Sequence, residues 1–170
     1  SPNVQRLIDL GINVSIGHTK ENISDAQLVI YSDAIPKNNV ELIEAYSKDI
    51  LVYSRAKMIS EIAKLNNSTV AIAGTHGKTT TTSMVGTILK SMNLDPTIIV
   101  GGVIKSLESN SILGAGDTLV VEADEYNKSL LHLSPTIAVI NNIDFEHIEC
   151  YKDIDDLKDT FIQFANSVPF

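Results

Sequence analysis

Two glycines, a lysine and four consecutive threonines lie between a short apolar run and a helical pattern, in the stretch AGTHGKTTTT. Glycines let backbone N–H groups converge on an anion, and the N-terminus of the following helix favours negative charge. A lysine at this place reaches the β- and γ-phosphates of a nucleotide, and the next hydroxyl binds Mg²⁺. The spacing is a variant of G-x-x-x-x-G-K-[ST], because Ile72 stands where that pattern has its first glycine. The alternative is a glycine turn with a chance lysine. The sequence predicts a phosphate-binding loop formed by Gly74, Thr75, His76, Gly77, Lys78, Thr79 and Thr80.

Polar and acidic side chains follow two further apolar runs, TLVV and TIAVI. Ligands of open α/β sheets bind at the carboxyl ends of the strands, so we expect these groups and the loop to meet at one sheet edge. Carboxylates at such an edge suit a Mg²⁺–nucleotide site. The alternative is that the acids are solvated or cap a helix, and that a lone histidine is structural. The groups in question are Glu122, Asp124, Glu125, Asn141, Asn142, Asp144, Glu146 and His147.

Strand and helix patterns alternate along the whole chain, which predicts an α/β fold. Several strands are apolar on both faces, as in parallel sheets covered by helices. The polar stretch NNST suggests a boundary near residue 67, and Asn39 is a suitable N-cap. We predict strands over 12–16, 26–32, 50–54, 69–73, 97–100, 118–124 and 136–142, helices over 2–11, 38–48, 55–65, 78–92 and 153–166, and a Gly- and Ser-rich connection over 101–117.

The composition excludes several classes of protein. With 44% hydrophobic and 20% charged residues in 170, the chain is typical of a soluble globular protein. A net charge of −8 with 13 scattered basic residues argues against nucleic acid as a partner. The single cysteine, Cys150, excludes an intrachain disulfide, and no apolar run is long enough for a membrane span. We predict a cytoplasmic protein without a membrane partner.

Four segments together resemble the Mur ligases of peptidoglycan synthesis. They are AGTHGKTTTTSMV, GGV, VVEADEYNKSLLHLSPTIAVINNIDFEH and DLKDTFIQFANSVPF, and the first half resembles the UDP-binding domain of the family's alanine-adding members. The resemblance implies an incomplete Rossmann-like UDP-binding unit over 1–67 and part of a P-loop ATP-binding domain with a mostly parallel sheet over 68–170. The family's first strand, its Gly-rich turn and its C-terminal amino-acid domain match nothing here, so the chain resembles a fragment.

The resemblance also implies a reaction. ATP phosphorylates the lactyl carboxylate of UDP-N-acetylmuramate, and the amine of L-alanine attacks the acyl phosphate to form an amide. Lys78 would hold the phosphates, Thr79 one Mg²⁺, and Glu122 with His147 a second Mg²⁺, so we expect Lys78, Glu122 and His147 to be catalytic. The resemblance places His76 and Asn142 near the substrate and Ser32 and Arg55 in segments that match the UDP-sugar domain.

Two departures and several alternatives stay open. Glu146 stands where the family usually has aspartate, and Asn127 stands where it usually has an acid. A murein-tripeptide recycling ligase would act on the same UDP-sugar, and the chain could instead be a nucleotide-binding module without ligase activity. A generic P-loop ATPase would leave Glu122, His147 and the first domain unexplained. We expect no turnover from this chain alone, and the sequence determines neither its amino-acid specificity nor its oligomeric state.

Overall fold

The computed structural model describes residues 2–104, 109–145 and 149–169. The chain forms two compact units, Ser1–Arg55 and Ala56–Phe170. Helix α3 (Arg55–Ala63) packs with the second unit, because Ile59 and Ala63 contact that unit's core. The domain division near residue 67 stays a prediction. Among the described residues, no helix has the length and apolarity needed to cross a membrane.

The first unit holds a small parallel sheet. Strands β1 (Leu28–Tyr31) and β2 (Leu51–Ser54) pair side by side. Helix α2 (Val40–Ser47) begins after Asn39, whose side chain accepts the amides of Glu41 and Leu42, and this confirms the predicted N-cap. The remaining helical elements of this unit are α1 (Pro2–Asp9) and a 3₁₀ turn (Lys20–Ile23).

The strand predicted over residues 12–16 is wrong, because this stretch forms no strand. Its apolar alternation is real, but Ile12 is 49% exposed and Ile16 is 86% exposed. A strand needs a neighbour for its N–H and C=O groups. In the described part of this unit, β1 and β2 pair only with each other.

The second unit is built on five strands, β3 (Ser68–Ala73), β4 (Thr97–Ile104), β5 (Ser109–Ile112), β6 (Thr118–Glu122) and β7 (Ile137–Ile140). They form one sheet with the order β5-β4-β6-β3-β7. All adjacent strands are parallel except β4 and β5, which confirms the predicted α/β class with a mostly parallel sheet. A second 3₁₀ segment covers Tyr126–His132. The α-helices that follow α3 are α4 (Lys78–Ser91) and α5 (Ile154–Ala165).

Both faces of this sheet are covered, as the apolar runs predict. Successive residues of β3 point to opposite faces, so Ala71 belongs to one core cluster and Ile72 to the other. Helix α5 covers the first face with the fully buried Phe161 and Phe164. On the second face, Val85 and Leu89 of α4 pack against the sheet.

The predicted connection over 101–117 is partly wrong, because it contains β5. This strand pairs antiparallel with β4, with Ile112 opposite Ile98. The glycines and serines of residues 101–117 are typical of a loop, but an edge strand such as β5 is paired on one side only and tolerates polar residues. Strands β3, β6 and β7, whose carboxyl ends precede the predicted site residues, therefore lie away from the edge that β5 forms.

Gly86 marks a close approach of α4 to the sheet. A Cβ added there would lie 2.4 Å from Cδ1 and 2.9 Å from Cγ1 of Ile98. We expect Gly86→Ala to destabilise the fold by about 1–2 kcal/mol, since overpacking costs about 1–3 kcal/mol and outweighs the helix propensity gained. Urea unfolding measures this. Ile98→Val removes Cδ1, so the double variant should lose less than the sum of the single losses. An Ala variant as stable as the parent would contradict the packing.

Candidate nucleotide-binding site

The ends of three parallel strands coincide at one edge of the sheet. In the register, Ile72 of β3 lies opposite Glu122 of β6, and Ala73 lies opposite Ile140 of β7. The segments that follow these strands therefore emerge together. This placement confirms the predicted common edge for the loop, the acidic segment and the asparagine segment.

The loop after β3 has the backbone geometry of an anion-binding turn. Gly74 has φ +132° and Gly77 has φ +78°, values that favour glycine. Gly77 is the N-cap of α4 and offers no side chain to its first amides. The first backbone amides of α4 therefore remain able to donate hydrogen bonds to an anion bound at the helix N-terminus. The helix has 14 residues, so its dipole favours an anion there.

Hydrogen bonds to the segment after β7 hold the loop in place. The Asn142 side chain accepts the His76 amide at 2.8 Å and donates to the His76 carbonyl at 3.2 Å. The Thr75 hydroxyl donates to the Asp144 carbonyl at 3.1 Å and accepts the Asp144 amide at 2.9 Å. The Thr75 amide donates to the Asn142 carbonyl at 3.2 Å. The loop is thus tied to its neighbour without any ligand.

Lys78 lies inside the loop rather than above it. Its Nζ donates to the Gly74 carbonyl at 2.7 Å and to Glu125 Oε2 at 2.8 Å, with Oε1 at 3.1 Å. The Glu125 side chain is almost completely buried. Sequence reasoning grouped Glu125 with the strand-end acids but assigned it no role. Its position, directly after a buried strand at the phosphate edge, was the available signal.

Tyr151 supports Glu125 from behind. Its hydroxyl donates to the Glu125 backbone carbonyl. Burial, followed by the nearby Glu125 charge, raises the pKa of Tyr151 to about 12. The phenol therefore stays protonated, and keeps its hydrogen bond, at alkaline pH where an ordinary tyrosine would begin to ionise.

Glu122 carries the feature that fits a metal ion. Its Oε2 accepts the Gly101 amide at 2.8 Å, whereas Oε1 is buried and has no hydrogen-bond partner within the described residues. A buried carboxylate oxygen normally has a partner, and a cation would supply one. Thr79, the predicted hydroxyl ligand, lies in the first turn of α4. Mg²⁺ therefore fits the residues at this edge.

The other predicted metal ligand, His147, lies outside the described residues, as does Glu146. Over residues 2–104, 109–145 and 149–169, no group of three or more His, Cys, Asp and Glu side chains could hold a metal. The pairing of Glu122 with His147 stays a prediction.

The remaining predicted residues are placed as follows. Thr80 is exposed in the first turn of α4, and the His76 ring nitrogen Nε2 lies 3.6 Å from Asp144 Oδ2. Ser32 and Arg55 belong to the first unit, where the Ser32 hydroxyl accepts the Ala34 amide and Arg55 is exposed. The structure thus brings together the loop, Glu122 and Asn142. The substrate roles of His76, Asn142, Ser32 and Arg55 stay predictions.

Comparison with known proteins gives two family matches. Residues 1–67 match "Mur ligase family, catalytic domain", and residues 72–170 match "Mur ligase middle domain". The chain belongs to the Mur ligase family. In this Mur ligase chain, the middle-domain match covers Glu122, Glu125 and the whole phosphate loop.

Similar curated Mur ligases are named UDP-N-acetylmuramate–L-alanine ligase. The protein from Sulfurihydrogenibium sp. is 49% identical over 170 residues, which are 100% of this chain and 37% of the relative. The protein from Geotalea uraniireducens is 51% identical over 166 residues, which are 98% of this chain and 36% of the relative. The chain thus spans just over a third of the length of these relatives.

Solved Mur ligase structures share the fold. UDP-N-acetylmuramate-alanine ligase from Thermotoga maritima matches with a TM-score of 0.88 and 29% identity, over 98% of this chain and 39% of that one. UDP-N-acetylmuramate:L-alanyl-γ-D-glutamyl-meso-diaminopimelate ligase from Neisseria meningitides matches with a TM-score of 0.82 and 26% identity, over 97% of this chain and 56% of that one.

Proposed function

We propose that this chain supplies the ATP site and part of the UDP-sugar site of an enzyme that ligates L-alanine to UDP-N-acetylmuramate. The observation that carries the proposal is the phosphate loop beside Glu122, whose buried oxygen is unpartnered within the described residues. The names of relatives that are 46–51% identical supply the substrates. We assign selection of the amino acid to the part of the relatives' length that this chain does not cover.

In the proposed reaction, the lactyl carboxylate attacks the γ-phosphorus of ATP and ADP leaves. The amine of L-alanine then attacks the acyl phosphate, which gives an amide and inorganic phosphate and releases a proton. The first step brings two anions together, so positive groups must offset their repulsion. Loop amides at the N-terminus of α4 and the Lys78 ammonium are the groups of this chain that would do so.

Thr79 would hold one Mg²⁺, and Glu122 with the predicted His147 would hold a second. Mg²⁺ held by these residues would supply positive charge that offsets the repulsion between phosphate and carboxylate. The Gly101 amide fixes one Glu122 oxygen, so the other keeps a constant direction toward the edge of the sheet. Asn142 holds the His76 backbone from both sides, which would keep the imidazole oriented for a contact with the sugar's lactyl arm.

The second candidate is the murein-tripeptide recycling ligase, favoured by the Neisseria meningitides match over 97% of this chain. That protein's name specifies the same UDP-sugar and a tripeptide instead of L-alanine. The curated relatives at 46–51% identity favour the alanine reaction. Both candidates require the same two half-sites, whereas a generic ATPase requires only one.

Calorimetric titration of the chain tests the half-sites. UDP-N-acetylmuramate and a non-hydrolysable Mg²⁺–ATP analogue should each bind once, and saturation with one should not abolish binding of the other. Competition between them, or analogue binding without any sugar binding, would contradict the proposal and favour a simple nucleotide-binding module. UDP-N-acetylglucosamine, which lacks the lactyl carboxylate, is the matched control ligand.

Glu122→Gln separates metal binding from nucleotide binding. The amide keeps an oxygen for the Gly101 N–H but removes the negative charge that Mg²⁺ needs. We expect the gain in ATP-analogue affinity on adding Mg²⁺ to fall by about tenfold, or about 1.4 kcal/mol, while affinity in EDTA is unchanged. Titrations with and without Mg²⁺ measure this. Asp117→Asn, an exposed charge before β6, should keep the full Mg²⁺ effect. An unchanged Mg²⁺ effect in Glu122→Gln would remove Glu122 from the metal site.

A further inference from the structure

The Lys78 ammonium is fully engaged in the ligand-free loop. An ammonium has three N–H donors. Nζ contacts the Gly74 carbonyl at 2.7 Å, the Thr75 carbonyl at 3.3 Å and the Glu125 carboxylate at 2.8 Å. A phosphate oxygen can therefore receive a hydrogen bond from Nζ only if one of these acceptors gives it up.

Glu125 is the acceptor with a negative charge, and it is 1% exposed. A buried carboxylate needs a counter-charge and hydrogen bonds to remain ionised. Lys78, at hydrogen-bond distance from both carboxylate oxygens, supplies that counter-charge. The two side chains therefore form a buried ion pair beneath the phosphate loop.

The backbone around Glu125 is fixed independently of the loop. The Tyr151 hydroxyl and the Lys128 amide both donate to its carbonyl, the latter at 2.9 Å. The Lys128 ammonium in turn contacts Asp156 Oδ1 at 2.7 Å and lies 5.5 Å from the centre of the Tyr151 ring. The Glu125 backbone is thus held in place from the α5 side, while Lys78 reaches the carboxylate from the loop side.

We propose that Glu125 is a positioning residue for Lys78, which it holds against the loop carbonyls until nucleotide phosphate takes its place on the ammonium. The inference rests on the proposed function and adds a residue and an exchange of partners to it. The pair serves two purposes. It keeps the long Lys78 side chain ordered at the site, and it opposes phosphate binding because both anions compete for one cation.

The test is nucleotide affinity in Glu125→Gln. Glutamine keeps an oxygen that can accept from Nζ, so the lysine stays ordered, but the competing charge is gone. We expect the Mg²⁺–ATP analogue to bind about three- to tenfold more tightly, with the affinity for UDP-N-acetylmuramate unchanged. A merely structural role predicts the opposite sign, because a loosened site binds less well.

Two further variants complete the test. Asp117→Asn removes an exposed charge at the opposite end of β6 from Glu122, and should change affinity by less than about twofold. Glu125→Asp keeps the counter-charge but is one methylene shorter, so its affinity should fall between those of the wild type and Glu125→Gln. If Glu125→Gln does not fold, Glu125→Asp decides by the same criterion, tighter binding than the wild type.

The outcomes separate this inference from the proposed function. If the wild type binds the analogue and Glu125→Gln binds it equally or more weakly, the role of Glu125 is overturned and the ATP site is left intact. Failure of the wild type to bind any Mg²⁺–ATP analogue overturns both.

Discussion

Lys78→Ala is expected to weaken binding of a Mg²⁺–ATP analogue by about 100-fold, or about 2.7 kcal/mol. The ammonium is the positive side chain that the structure places inside the phosphate loop, and its bonds to phosphate are charge-assisted. UDP-N-acetylmuramate affinity should not change. Calorimetry on the wild type and the variant measures both affinities. Lys90→Ala, at the exposed last turn of the same helix, is the matched control and should bind like the wild type.

The same variant should also lose about 3 kcal/mol of folding free energy, since removing one partner leaves the buried Glu125 carboxylate without its counter-charge. The double variant Lys78→Ala/Glu125→Gln should recover most of this stability but none of the nucleotide affinity. Denaturant unfolding beside the titrations separates the two effects. Nucleotide binding restored by the double variant would show that the loss came from misfolding and not from the missing ammonium.

The second large effect is expected at Gly74. Alanine there must adopt φ +132°, and its Cβ would lie 3.1 Å from the backbone nitrogen and oxygen of Asn142. Neither atom can move freely, because hydrogen bonds tie the segment after β7 to the loop and to β3. We expect Gly74→Ala to cost about 3 kcal/mol of stability and to abolish detectable nucleotide binding.

Gly77→Ala is the matched control for that prediction. Its φ of +78° lies nearer the left-handed region that other residues reach, and its Cβ would lie 3.4 Å from the side-chain amide nitrogen of Asn141. The cost should be about 1–2 kcal/mol. Urea unfolding of both variants ranks them. Equal losses would contradict the close approach of Gly74 to Asn142.

The sequence predicted the common edge because three apolar runs, read as parallel strands, dictate where their carboxyl ends lie. Gly74, Gly77 and Lys78 sit at fixed offsets from the end of β3, so local spacing is sufficient to locate the loop. The position of Glu122 at the same edge follows from the same reasoning, because Glu122 ends the apolar run of β6. These features depend on contacts between neighbouring positions or on strand register, and both leave a periodic signal.

Features that depend on distant partners left no such signal. The Lys78–Glu125 pair joins positions 47 residues apart, and nothing in either local pattern specifies it. Residues 12–16 alternate like a strand but find no neighbour in the described first unit. Conversely, β5 is polar yet becomes a strand because β4 supplies a pairing edge. Tertiary pairing decided all three cases.

The bonds from Asn142 and Thr75 that hold the loop have a kinetic consequence. They order the loop when the chain folds, so little further conformational entropy need be lost on binding. The backbone of a preordered loop need not rearrange before encounter, and only the Lys78 side chain changes partners, so nucleotides with two or three phosphates should associate at similar rates. The difference in affinity between these nucleotides must then come from their dissociation rates. In the proposed ligase reaction, which releases ADP after each cycle, we expect this loop to set the residence time of the product.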